Sequence, residues 1–312
     1  MPTCVIFNPA ARGDKARRLR RQLDVIGAKC ALKATAAAGD ARRLAAQAVT
    51  EGFDLIVAAG GDGTVNEVLN GIGDVPDGFA HARLGVLPLG TVNVFARELK
   101  IPLKVERAWE VLQHGRELKI DLPRVEFSAN GVLQKRYFCQ LAGAGLDARA
   151  IELVDWKHKK QVGPLAYVIA GLKALRERQP KIVVARASCP CGSNPEEANG
   201  QDARTTISGE LVLVGNGRFY GGSFAILPHA DLRNGLLEVC VFSRADWWTL
   251  LRCGPELLLR GKLPANAVQY LNAETFELTS DTPAAFELDG EWVGKLPVTF
   301  SIEREKLRVV VP

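Results

Sequence analysis

The residues best suited to chemistry are Gly60-Gly61-Asp62-Gly63-Thr64-Val65-Asn66-Glu67-Val68, which follow the apolar run Asp54–Ala59 and open a helical pattern reaching Ile72. A buried strand running into a helix is where open parallel sheets bind ligands. Glycines let backbone N–H groups close on a phosphate, and a helix N-terminus adds about half a positive charge. The Thr64 hydroxyl can bond a phosphate oxygen. A carboxylate at Asp62 is costly among such groups unless it holds Mg2+ or takes up a transferred proton. As an ordinary glycine-rich turn, with Asp62 capping the helix, the segment would need no ligand; the whole nonamer in this setting favours phosphate chemistry. Two further segments share the same edge. Asn8–Gly13 follows the apolar run Thr3–Phe7, and Pro88–Asn93 follows Leu84–Leu87.

The elements that position these loops can be read from periodicity. Ala16, Leu19, Leu23 and Ile26 recur at helical spacing, Lys29–Thr35 reads as extended, and Asp40 reads as the N-cap of a helix carrying Ala41, Leu44, Ala45, Ala48 and Val49. Val105–Gln113 is a further helix. Alternating strands and helices predict an α/β domain with a parallel sheet covered on both faces. Beyond about Asp121 the pattern becomes β-rich, with strands expected around 135–141, 181–187, 210–214, 236–242, 275–278 and 306–311. Two helices interrupt them, Leu165–Glu177 and Asp246–Arg260, the second expected to break at Gly254-Pro255. Residues 188–204 are polar and turn-rich, a surface insertion. The expected division is residues 1–122 and 123–302, with residues from about 303 packing back on the first domain.

The chain has 312 residues, 47% of them hydrophobic, and a formal net charge of +5. That composition excludes wholesale disorder, and so mild a charge does not argue for nucleic acid as a partner. Seven cysteines at 4, 30, 139, 189, 191, 240 and 253 form no four-ligand zinc pattern and read as reduced thiols. Thr3–Phe7 is too short for a signal sequence, and no apolar run reaches about 18 residues. A cytoplasmic protein is expected, with any membrane contact peripheral and transient.

Taken together, these motifs resemble the diacylglycerol kinase catalytic family, which includes bacterial lipid kinases, sphingosine kinases and ceramide kinase. The matching segments are NPAARG (8–13), GGDGTVNEV (60–68), PLGTVNVFAREL (88–99), Ile120-Asp121, GAGLDA (143–148), GPLAY (163–167), Asn216, Tyr220-Gly221-Gly222, Pro228–Asp231 and Leu288-Asp289-Gly290-Glu291. They span nearly the whole chain in order. GGDGT alone is shared with NAD kinases and phosphofructokinases, whereas the terminal DGE points to lipid kinases. The resemblance implies an N-terminal α/β nucleotide domain of NAD kinase/phosphofructokinase type and a C-terminal, mainly antiparallel β-sandwich. It implies that Asn8, Thr35, Gly60, Gly61, Asp62, Gly63, Thr64, Val65, Asn66 and Thr91 hold ATP, with Glu67 close by. Asp289 and Glu291 would face them, one taking the proton of the lipid hydroxyl; Asp62 is the rival base. Asp289-Gly290 also reads as a type I′ hairpin turn, and both readings can hold together.

Two positions depart from the family. Val94 stands where many members carry Asp. The family's structural Mg2+ loop, with ligands expected from the carbonyls of Asp231 and Leu236 and the side chain at 234, has Asn234 where Asp is usual, and a neutral amide weakens a hard-cation site. GAGLDA fits a dinucleotide fingerprint, but no second strand ending in an acid follows about 20 residues on. The expectation is an ATP- and Mg2+-dependent lipid kinase acting on diacylglycerol or a sphingoid- or ceramide-like acceptor. The alternatives are an NAD kinase-like phosphotransferase and a non-catalytic nucleotide- or lipid-binding regulator. A homodimer stays open. Trp156–Lys160, and Trp247-Trp248 with Leu250 and Leu251, are candidate lipid contacts.

Overall fold

The computed structural model describes residues 2–9, 17, 19, 26–153, 165–186, 206–261, 263, 264 and 266–312. Outside them lie Ala10–Gly13 of the first loop, Ala16 and Leu23, Trp156–Lys160, Gly163-Pro164, Cys189, Cys191 and the 188–204 insertion. Strands β1 (Thr3–Phe7), β2 (Ala31–Ala34), β3 (Leu55–Gly60) and β4 (Arg83–Pro88) pair in parallel in the order β2-β1-β3-β4. The apolar LIVAA of β3 is buried on both faces, as a central parallel strand requires. Helix α1 (Asp40–Thr50) buries Ala41, Leu44, Ala45, Ala48 and Val49, and α2 (Asp62–Gly73) buries Val65, Val68, Leu69 and Ile72. The short α3 (Gly78–His81) and α4 (Val94–Glu98) and the amphipathic α5 (Val105–His114) also belong to this domain.

Asp40 does not cap α1 as its position suggested. Its carboxylate closes the preceding loop, accepting from the Ala36 and Ala37 N–H groups, while Glu67 of α2 accepts from Gly39 N and Ala41 N at 3.0 Å each. A carboxylate reaching across from a neighbouring helix thus satisfies the N-terminus of α1.

The two domains share one sheet. Strand β5 (Arg116–Ala129) pairs antiparallel with β18 (Val298–Val311) from Arg116/Val311 to Phe127/Val298, with a register shift between Glu303 and Leu307. The end of β18 also runs parallel to β4 at Val309/Leu84, and its start pairs with β15 (Thr275–Ser280). With β6 (Val132–Tyr137), β8 (Ile182–Arg186) and β9 (Thr206–Gly209), ten strands join among the described residues. Ile120 and Leu122 of β5 and Leu307, Val309, Val310 and Val311 of β18 belong to the core of the α/β domain, whereas Val125, Phe127, Val298 and Phe300 belong to the core of the second.

That second core lies between the extended sheet and an antiparallel one. The latter runs β14 (Val268–Ala273), β13 (Leu237–Phe242), β10 (Leu211–Gly215), β7 (Leu141–Gly145), β16 (Ala285–Leu288), β17 (Glu291–Lys295). Phe276 and Phe300 stack at 4.9 Å, and Phe127 meets Phe286 edge-on at 5.0 Å. Helices α6 (Leu146–Glu152) and α7 (Leu165–Ala174) follow β7. Leu141, Leu213, Cys240 and Phe242 form a further cluster with the hairpin β11 (Phe219–Tyr220)–β12 (Phe224–Ala225) and with α8 (Trp247–Arg260). Contrary to expectation, α8 is continuous through Gly254-Pro255. Pro255 is exposed, and the carbonyl it leaves without a donor belongs to exposed Leu251, where water can take it. Among the described residues the cysteines are free, and four of them are buried.

Candidate active site

The carboxyl edge of the parallel sheet brings the expected loops together. Asn8 follows β1, and Thr35 follows β2, its N–H donating to Phe7 O at 2.9 Å. The β3–α2 and β4–α4 loops touch directly, with Leu89 N and Gly90 N donating to Gly60 O at 2.9 and 3.3 Å. A β-carbon on Gly90 would stand 2.6 Å from the Gly61 α-carbon, so this approach of two backbones needs glycine. Asn93, at φ 54°, holds the Gly90 turn: its Oδ1 accepts from Gly90 N and its Nδ2 donates to Gly90 O. Thr91 is exposed on that loop. Helix α2 begins at Asp62 without a side-chain cap, so the N–H groups of Asp62, Gly63 and Thr64 have no acceptor within the helix. Such an N-terminus, walled by two glycine turns, suits a phosphate.

The rest of the nonamer faces inward. Val65 is a core residue, and Glu67 is committed to α1. Asn66 is buried and donates to Tyr137 O and to Asp289 Oδ2 at 2.8 Å. Asn70 extends the seam by donating to Tyr137 O and accepting from Tyr137 N. Thus Asn66 joins the domains rather than reaching for a nucleotide.

Asp289 is the other half of that junction. Asp289 at φ 49° and Gly290 at φ 87° form the two-residue I′ turn between β16 and β17. The carboxylate accepts from Asn66 Nδ2 and Cys139 N through one oxygen, each at 2.8 Å, and from Gln140 N (2.9 Å) and Leu141 N (3.1 Å) through the other. Burial pushes its carboxyl above the ordinary aspartate range, against the opposing pull of these N–H groups. Two residues on, Glu291 Oε1 lies against Gly63, 2.6 Å from where a β-carbon there would be. The second domain therefore presents Glu291 to the phosphate loop. Asp62 accepts from Phe95 N at 3.2 Å, which ties the start of α2 to α4.

Several carboxylates were given no role in the sequence reading. Glu98 of α4 accepts from Gln140 Nε2, Arg218 N, Arg218 Nε and Phe219 N, a second clamp between the domains. Buried Asp121 accepts from Gly235 N and Glu305 N. Glu287 of β16 is 1% exposed; its Oε2 accepts from Gly290 N at 2.6 Å, and its Oε1 has no hydrogen-bond partner among the described residues. Asp147 stands beside it and accepts from the Tyr220 hydroxyl at 2.5 Å. A β-carbon on Gly143 would lie 2.6 Å from Asp147 Oδ2 and 2.9 Å from Glu287 Oε1, which accounts for one glycine of the GAGLDA motif. Burial raises both carboxyls, and the charge of Asp147 further disfavours ionisation of Glu287. All four residues of β16 are buried, so the strand gives no alternation that would single out Glu287, and nothing in the sequence placed Asp147 against it.

The donor set suits Mg2+ bound through nucleotide phosphates. Asp62 and Glu291 lie at the start of α2 and against Gly63, and this ion, which keeps waters and phosphate ligands, needs only one or two carboxylates. No cluster of three or more His, Cys, Asp or Glu forms a metal cage among the described residues. In the loop expected for a structural ion, Asn234 Oδ1 accepts from Leu236 N at 2.9 Å, Asp231 Oδ1 accepts from Arg233 N, and Asn234 N donates to Asp231 O. The side-chain oxygen that would bind a cation there is engaged in a turn.

Comparison with known proteins agrees with this geometry. Residues 2–125 match the model of the diacylglycerol kinase catalytic domain, and residues 140–311 match that of the YegS C-terminal NAD kinase beta sandwich-like domain. A diacylglycerol kinase of Staphylococcus saprophyticus is 30% identical over 99% of this chain and 94% of its own length. One from Staphylococcus aureus strain MRSA252 is 32% identical over 96% of this chain and 89% of its own. The crystal structure of a putative diacylglycerol kinase from Bacillus anthracis str. Sterne shares the fold, with a TM-score of 0.73 at 22% identity, covering 100% of this chain and 97% of that one. With both parts of the chain matched, the chain belongs to the diacylglycerol kinase family of lipid kinases.

Proposed function

We propose that the cleft transfers the γ-phosphoryl group of ATP, with Mg2+, to a hydroxyl of a lipid acceptor such as diacylglycerol or a sphingoid- or ceramide-like alcohol. The observation that carries this reading is the meeting of the uncapped start of α2 and the Gly90 turn with Glu291 from the opposite domain. The backbone N–H groups of Asp62, Gly63 and Thr64 would receive phosphate oxygens, Asn8, Thr35 and Thr91 would border the nucleotide, and one of Asp62 and Glu291 would hold the metal, leaving the other as a base. A Mg2+ ion held there would supply neutralisation of phosphate charge; the phosphorus–oxygen bond to ADP breaks, with ADP as the leaving group. The acceptor oxygen forms the new bond to phosphorus, and its proton passes to a carboxylate. Asp289 already accepts four N–H bonds, so a proton would displace one of them. That favours Glu291 or Asp62 as the proton acceptor and Asp289 as the residue that positions the turn.

Purified protein incubated with γ-labelled ATP, Mg2+ and a panel of diacylglycerol, ceramide, sphingosine and NAD tests this. A phosphorylated lipid identified by mass spectrometry is expected. Transfer to NAD with none to any lipid would overturn it.

A further inference from the structure

Helix α8 is apolar on opposite sides. Cys253 and Leu257 face inward, packed with Tyr220, Phe224 and Val268. Outward, Trp248 is 79%, Leu251 64% and Leu259 85% exposed, and Trp247 and Leu250 are also exposed. Five of the ten large exposed hydrophobic residues described thus lie on this one helix. A helix that needed only to cover the sheet would carry polar residues there. Its acids are already engaged: Asp246 accepts from Thr249 N at the helix start, and Glu256 pairs with Arg260. Arg244 and Arg252 are exposed at the margins, and residues 244–262 hold Arg244, Arg252, Arg260 and Lys262 against Asp246 and Glu256.

From this we infer that the outer face of α8 docks on an anionic lipid bilayer, with Trp248, Leu251 and Leu259 entering the interface and the arginines meeting headgroups. Charge favours that occupant over a second copy of the chain, because two such patches would oppose like charges while an anionic surface attracts them. The patch is one hairpin away from the cleft. β11–β12 packs beneath α8, Ala225 N donates to Gly261 O at the end of the helix, Tyr220 bonds Asp147, and Gly222 lies against Val92 of the Gly90 loop. Docking here sets the acceptor side of the cleft close to the membrane. The inference rests on the lipid-acceptor reading for its purpose, but its test needs no turnover.

Wild type and the double variant Trp248→Glu/Leu251→Glu would be sedimented with phosphatidylcholine vesicles, with and without about one-third phosphatidylglycerol. Wild type should bind the anionic vesicles and be released by raised salt. The variant should bind them at least about ten-fold more weakly while melting at the wild-type temperature, since both side chains are exposed. Phosphorylation of a short-chain soluble acceptor should be unchanged, and that of a vesicle-borne acceptor reduced. Equal vesicle binding by the two proteins would overturn the inference. So would a wild-type dimer that the variant dissolves and that binds no vesicles. Vesicle binding without phosphorylation of any lipid would leave docking standing and remove the kinase reading instead.

Discussion

Replacing Asp289 with Asn exchanges one of its two acceptor oxygens for an NH2 group. In the wild type each oxygen receives two N–H bonds, from Asn66 and Cys139 on one side and from Gln140 and Leu141 on the other. Either orientation of the new amide sets its NH2 against two donors. A buried donor left without an acceptor costs about 1–3 kcal/mol, so two of them cost about 2–6 kcal/mol. At about 2–4 °C per kcal/mol, the melting temperature should fall by roughly 4–24 °C. This isosteric substitution is therefore expected to loosen the domain junction. Urea and thermal melts of Asp289→Asn, Asn66→Ala and the double variant measure it. Asn66→Ala removes one donor from a carboxylate that keeps three, and the two changes should be non-additive, with a coupling of about 1 kcal/mol or more. An Asp289→Asn protein with wild-type melting and only lost turnover would refute the reasoning, and the carboxylate would then be the catalytic base.

Other outcomes follow from the same geometry. Burial holds the Glu287 carboxyl well above the ordinary 4.5, so the folded state binds this proton more tightly than the unfolded one. Its stabilising contribution is full below pH 4.5 and is lost as pH rises through the folded value. Glu287→Gln should therefore flatten the decline of stability above pH 4.5 in urea melts, and parallel curves for the two proteins would count against the buried pair. Gly90→Ala forces a β-carbon onto Gly61 and should weaken ATP binding, read by nucleotide titration, with a stability loss of about 1–3 kcal/mol. Glu98→Ala leaves Arg218 N, Phe219 N and Gln140 Nε2 without their shared acceptor; a loss of about 3 kcal/mol or more in urea melts is expected, and one below about 1 kcal/mol would mean water replaces the clamp.

What the sequence disclosed was local. Glycines between an apolar run and a helical pattern marked the phosphate loop, and Asp289-Gly290 marked its turn; both signals span a few residues whose backbone needs are written in their own types. The junction was not legible, because Asn66 and Asp289 are 223 residues apart and their bond depends on how two domains meet. Glu67 looked like part of the nucleotide motif because its spacing is that of the motif; only the packing of α1 beside α2 shows the N–H groups it serves. Pro255 misled for a physical reason: an exposed helix face can leave one interior carbonyl to water, while the inward side chains of α8 hold the helix in place.

The passage of β18 through both cores has a consequence for synthesis on the ribosome. The α/β part is translated first, yet its β4 edge gains its neighbour, and its core gains Leu307, Val309, Val310 and Val311, only when β18 has emerged. Until then the nascent domain presents an open parallel edge, the kind of surface that invites mispairing. The segment matched to the catalytic domain, residues 2–125, lacks part of its own core and is accordingly expected not to fold by itself. Expressed by itself it should aggregate, and supplying the β18 segment in trans should rescue it by strand addition.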